Sequence, residues 1–217
     1  MPRPTETALR GRARALLEAM TERARWVYAL PLEAAETHVR PILTDAGLTV
    51  EEEDAGARAA RLSNAAGSAH FAVMQSPELD VTLVEGSGSE APPLLAKILE
   101  RTGFYAQTEL LGTALDVRDE EAPKALRTLA HMVVGWDEDW SDLFLLHLAS
   151  PDPVVRHDAA LALAIAVMVA REPGPAPALL EEAIRREKFP KLAETLRETL
   201  NLVRGLTGGA VELPADG

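Results

Sequence analysis

Arg156, His157 and Asp158 stand side by side in the stretch "LASPDPVVRHDAALAL", a charged trio in which His157 and Asp158 are of the types that pass a proton. The first question is whether they form a catalytic cluster or the polar edge of a stacked helical element. The other residue types with chemical potential are spread thinly. The five histidines are His38, His70, His131, His147 and His157, and no two are three or four residues apart, so none share a helical turn as paired metal ligands would. A metal site would have to be assembled from different elements, with His131, His147, Asp137, Glu138, Asp139 and Asp142 around one hairpin as its candidates. The same residues serve as solvated helix edges and caps. The run Glu51-Glu52-Glu53-Asp54 reads as a hairpin tip, because neighbours on a strand alternate faces and do not converge as a catalytic pair.

"VEGSGSEAPPLL" places a glycine-rich loop between a strand and a helix, the position of a phosphate cradle. It lacks the Gly-Lys-Ser/Thr ending, and Glu90 would repel phosphate at the helix start, so a flexible turn is expected. "GWDEDWSDLF" has the most unusual composition. Trp136 and Trp140 are four apart and hence helix neighbours, among Asp137, Glu138, Asp139 and Asp142. One reading puts both indoles in the junction between two layers of the fold. The other makes Trp136, Asp137, Glu138, Asp139, Trp140 and Asp142 a docking patch, in which the aromatics anchor and the acids select a basic segment.

Composition narrows the classes. The 217-residue chain is 47% hydrophobic and 26% charged, as soluble globular proteins are, and only 4% aromatic, so its core must be built from Ala, Leu and Val. Cysteine is absent, which excludes disulfides and thiolate metal sites and suits a reducing cytoplasm. No signal pattern opens the chain, and the longest apolar run, Ala159 to Ala170, is 12 residues, so no membrane span is expected. The net charge of −12 is uneven: residues 1–30 hold six arginines and three glutamates, whereas residues 31–160 hold 23 acids and nine bases. Duplex nucleic acid requires a basic stripe, which only the N-terminal arginines could supply. The acidic middle suits a basic protein partner or solubility alone.

Periodicity supplies the elements. Thr5 to about Tyr28 reads as a basic amphipathic helix and Pro31 to Ala46 as a second helix, kinked by Pro41 and ended by Gly47. "LTVEEED", "ARAARLSN", "AHFAVMQ" and "ELDVTLVE" read as antiparallel strands, and Pro92 to Arg101 as a helix with Gly103 past its end. "FYAQTELLGTALDV" reads as one or two further strands. After Asp116 the pattern is wholly helical, up to a loose tail from about residue 206. The expected fold class is α+β: a small antiparallel sheet with helices, then a C-terminal helical segment. The expected divisions are residues 1–30, 31–118, 119–205 and 206–217.

Leu145, Leu146 and Leu148 lead into Asp152-Pro153, then Val155-Arg156, then Ala159, Ala160 and Leu163. This order closely resembles a HEAT-type repeat of the lyase-like form, in detail over 143–167 and loosely over 119–205. The resemblance implies that Arg156 points into the turn and ties adjacent turns, and that His157 and Asp158 lie on a structural rim. No motif names a reaction, so no enzyme, no cofactor and no catalytic residue is expected. The expected function is a cytoplasmic protein-interaction module, such as an adaptor, an immunity or inhibitor protein, or a regulatory subunit, that binds a protein partner through the acidic Trp-containing face. A homodimer is compatible with this. Two alternatives stand beside it. The element order and acidity of the first half are similar to type III secretion chaperones, and an enzyme could assemble a carboxylate and histidine site at the domain junction.

Overall fold

The computed structural model describes residues 25–136 and 138–208, which fall into two compact units meeting at Ala106 and Gln107. The class is α+β, with a five-stranded antiparallel sheet followed by helices.

In the first unit the strands are β1 (Arg25–Pro31), β2 (Thr49–Asp54), β3 (Ala59–Ser63), β4 (His70–Ser76) and β5 (Val81–Ser87), ordered β1-β5-β4-β3-β2 and antiparallel throughout. Alternate residues build one core face. Trp26, Leu30, Val84, Phe71, Val73, Ala60 and Leu62 pack on Leu95, Ile98 and Leu99 of a helix, and on Val39, Ile42 and Leu43. The latter three lie in a π-helical turn (Ala35–Val39) running into α1 (Arg40–Asp45). Pro41 has no N–H to give and its ring crowds the preceding turn. The backbone widens there, with Arg40 N–H bonding back to Ala35 O, and so accommodates the proline that was expected to kink the helix.

Helix α2 (Ala91–Thr102) closes the core and ends at Gly103 with φ +70°. Gly86 lets it approach the sheet, since a Cβ there would stand 2.8 Å from Leu95 Cδ1. The glycine-rich loop before it, expected as a flexible turn, makes close contacts with the neighbouring loop. Gly88 (φ +93°) passes so close to the neighbouring loop that a Cβ would fall 2.4 Å from Ser68 O. The Glu90 carboxylate accepts from Asn64 Nδ2 (2.8 Å) and Ser68 Oγ (2.7 Å), and so holds the loop shut over the place a phosphate would need.

Two stretches differ from expectation. Arg25–Tyr28, read as the end of the basic helix, belong to strand β1, because Trp26 and Tyr28 find partners in Gly86 and Val84 of β5. The rest of that expected helix, residues 5–24, lies outside the described residues. "FYAQTELLGTALDV" contributes one isolated bridge, Tyr105 N–H to Ala29 O (2.9 Å), and then forms helix α3 (Gln107–Leu115). Gln, Glu, Leu and Ala are good helix formers, and Leu110, Leu111 and Ala114 share the side that meets the second core.

The second unit therefore begins at Gln107, twelve residues before the expected boundary. It comprises α3, α4 (Ala122–Ala130), α5 (Glu138–Leu148), α6 (Pro153–Ala170), α7 (Ala176–Arg186) and α8 (Pro190–Gly208). Consecutive helices pair as α3–α4, α5–α6 and α7–α8, and the second members stack with α6 between α4 and α8. Helix α8 runs on through Gly205, where a loose tail was expected. Pro153–Ala170 has the length and apolarity of a bilayer span, with a mean hydropathy of 1.6. Here it packs on α4, α5, α7 and α8. Buried Ala159, Ala160, Ala162, Ala164 and Ala166 let those neighbours approach closely.

Candidate functional site

The turn between α5 and α6 is built as its residues require. Asp152 accepts a hydrogen bond from Val154 N (2.8 Å), and Pro153 opens α6 where no N–H is needed. Arg156, one turn later, reaches back across the loop. Its Nη1 donates to Ser150 O (2.7 Å) and Pro151 O (3.0 Å), and Nε and Nη2 donate to the two carboxylate oxygens of Glu187 at 2.8 and 3.0 Å. Glu187 sits in the next turn, between α7 and α8, with its side chain 1% exposed. It also accepts from the backbone N–H of Lys188 and Phe189 (2.9 Å each). These bonds, the Arg156 fork foremost, hold its carboxyl below the usual carboxylate range despite burial. The Phe189 ring lies 5.8 Å from the guanidinium carbon of Arg156. One arginine thus fastens two successive turns.

Beside this clamp a half-open notch of about 420 Å³ is bordered by Ala149, Pro151, Arg186, Lys188 and Phe189. Leading to it, α5 exposes Asp142, Leu145 and Leu146, followed by exposed Ala149 just past its end, spaced i, i+3, i+4, i+7, while Leu143, Phe144, His147 and Leu148 are buried on the other face. Helix α5 is therefore apolar on both sides.

The aromatic pair packs within the helical unit. Trp140 is buried, and both indoles pack on Phe144, with ring centroids at 5.9 Å (Trp136) and 6.4 Å (Trp140). Trp136 Nε1–H donates to Glu172 O (3.1 Å), and the ring lies directly over Gly174. Trp140 therefore belongs to the core of the helical unit, and half-buried Trp136 packs against it. Of the acids around them, Asp142 is exposed on α5, while Asp137 and the side chains of Glu138 and Asp139 lie outside the described residues.

The histidines do not converge. His157 Nδ1 is 3.5 Å from Asp158 on the rim of α6, and exposed His70 is hydrogen-bonded to Gly67 O (2.9 Å). His147 is fully buried with Nε2 2.7 Å from Ala114 O, which joins α5 to α3, and its Nδ1 has no partner. Among the described residues no group of three His, Asp or Glu side chains could hold a metal ion. Burial lowers the pKa of His147, and burial foremost, with the charge of Arg127, lowers that of His131 to about 4. An unfolded chain protonates both near 6.5, so between about 4 and 6.5 it binds more protons than the folded one. Stability should thus be full above pH 6.5 and fall as the pH drops through that window, by up to about 1.4 kcal/mol per pH unit for His131, with His147 acting in the same direction. Urea titrations at pH 7.5 and 5.0 check this, and His147→Gln should flatten the dependence. An unchanged midpoint between the two pH values would refute it.

Sequence reasoning missed Glu187 and Phe189. The signal available was "EKFP" at a helix junction: a carboxylate next to a proline-started helix, downstream of an arginine that needed an acceptor.

No protein family, no curated protein and no solved structure matches the chain.

Proposed function

We propose that the protein is a non-enzymatic protein-interaction module, an adaptor, inhibitor or regulatory subunit, whose helical unit is a short HEAT-like stack. The carrying observation is the outer face of α5, where Leu145 and Leu146, 38% and 39% exposed, lie side by side next to exposed Asp142. A helix with a complete core face that also shows two adjacent leucines to solvent has surface left to cover. The tryptophans fix the position of this helix from within, and Asp142, Leu145 and Leu146 present its outer face to a partner with an apolar segment and a basic residue. The regular pairing of α3 to α8 and the Arg156 clamp support the HEAT-like reading. The lack of cysteine fits work in a reducing cytoplasm.

The test is affinity capture from the source organism's lysate with a graded salt wash, comparing the wild type with Asp142→Lys/Leu146→Glu. The expected result is one stoichiometric protein that leaves as salt rises and whose recovery falls at least about tenfold with the variant. Equal recovery by a variant with an unchanged circular dichroism spectrum would sink the reading. A bound small molecule in place of a protein would point to an enzyme.

A further inference from the structure

The exposed face of α5 does not end in solvent. Ala149 continues the Leu145–Leu146 strip and lies on the wall of the notch beside Arg156, so strip and notch are one surface. The two ends differ in charge. At the Asp142 end the exposed group is a carboxylate. At the notch end Glu187 is neutralised by Arg156, and a single carboxylate, Glu182, answers both Arg185 and Arg186. Lys188 is exposed and unpaired among the described residues, so the rim of the notch keeps a surplus of two positive charges. The nearby Asp152 carboxylate is turned onto the N-terminus of α6 by its bond from Val154 N. Phe189, 55% exposed, offers an apolar ring beside these cations.

A cationic rim is out of character for a chain of net charge −12. At physiological salt, charges farther than about 8 Å are screened. A bound group in the notch therefore responds to Lys188, to Arg186 with its partner Glu182, and little to the acids elsewhere on the chain. From Asp142 to Ala149 the helix rises about 10 Å, so the two charged ends are separated by a span that one short peptide segment covers.

We infer that the notch is an anion anchor for the partner: the strip takes an amphipathic segment of another protein whose end over the notch carries acidic side chains. The segment's apolar residues cover Leu145, Leu146 and Ala149, its carboxylates meet Arg186 and Lys188, and the stem of the acidic residue lies on Phe189. This rests on the interaction-module reading and deepens it. A partner with basic residues at both ends is disfavoured at the notch, so the surface selects both sequence and direction.

The test uses fluorescence anisotropy with the full chain and three labelled amphipathic peptides of about fourteen residues, identical except for the pair at one end: two glutamates, two glutamines or two lysines. The glutamate peptide is expected to bind at least about tenfold tighter than the lysine peptide, with glutamine between, and rising salt should shrink the gap. Arg186→Glu/Lys188→Glu should abolish the gap, and the milder Lys188→Ala should narrow it without perturbing the fold. Equal affinity for all three peptides, or a gap that survives both variants, overturns the anchor. If Leu146→Glu still weakens every peptide in that case, the interaction-module reading stands alone. Binding of none of them, together with capture of the natural partner that Leu146→Glu leaves intact, overturns both. Concentration-dependent dimerisation that Leu146→Glu removes assigns the strip to a second copy of this chain and also overturns the anchor.

Discussion

Arg156→Ala is expected to destabilise the protein by about 3–5 kcal/mol, the cost of leaving one half of a buried ion pair without the other. Three features place it in the upper part of the scale. The Glu187 side chain is 1% exposed, so the guanidinium and the turn's N–H groups, and not water, solvate it in the folded protein. The Arg156 fork is bidentate, with both oxygens of Glu187 engaged. The same guanidinium also satisfies Ser150 O and Pro151 O, which would lose those bonds. Arg156→Lys keeps the charge but not the planar fork, and should lose about 1–2 kcal/mol. Glu187→Leu would not rescue Arg156→Leu fully, because the backbone N–H groups of Lys188 and Phe189 would still lack their acceptor. Urea denaturation followed by tryptophan emission measures all four variants. The pH dependence supplies a second check with a defined sign. The folded pKa of Glu187 lies below its ordinary value of 4.5, so its contribution is present above about 4.5 and disappears as the pH falls through the folded value. In Arg156→Ala that acid limb should shrink, the bonds from Lys188 and Phe189 N–H alone remaining. A variant as stable as the wild type at pH 7 would show that the clamp does not hold the stack.

The second large effect is expected at Gly174→Ala, at about 2–4 kcal/mol. Gly174 has φ +47°, where an L side chain adds about 1–2 kcal/mol of backbone strain. A Cβ there would also stand 2.3–2.4 Å from Cδ1, Cγ and Nε1 of Trp136, so the indole must move, and overpacking of that kind adds about 1–3 kcal/mol. The displaced ring would lose its bond to Glu172 O and its packing on Phe144. The near-ultraviolet circular dichroism should weaken and the emission shift to the red. Adding Trp136→Leu should recover the steric part and leave the backbone part. A neutral Gly174→Ala would mean that Trp136 is not seated on this glycine, and that it could serve the docking patch after all.

Much of the architecture was legible because its signals are local. Strands β2 to β5 appeared as period-two runs between turn residues. Helix α2 was bracketed by prolines near its start and Gly103 at its end. The α5–α6 hairpin was readable from Asp152, Pro153 and the alanines, which cap and pack within a few residues of themselves. The expectation that Arg156 serves a turn, with His157 and Asp158 on a rim, agrees with its bonds to Ser150 and Pro151.

Elsewhere the outcome hung on residues far along the chain. Arg25–Tyr28 continue an upstream helical pattern but become strand, because β5 offers them a ladder and Glu85, sixty residues away, pairs with Arg25. "QTELLGTAL" mixes leucines with polar residues in a pattern that suits helix or strand, and the buried surface of the second unit decides for helix. Trp136 and Trp140 have the composition of a docking patch, and only the approach of Gly174 and Phe144 seats Trp136 against the core that holds Trp140. Glu187 lies 31 residues from Arg156, at a separation that no spacing rule connects. By itself, then, the sequence determined the class, most of the elements and the hairpin with its cap. Tertiary structure decided what each ambiguous segment became and which charges remain free at the notch. The physical reason is that period and capping act within a turn or two, whereas burial and ion pairing act between whatever surfaces the folded chain brings together.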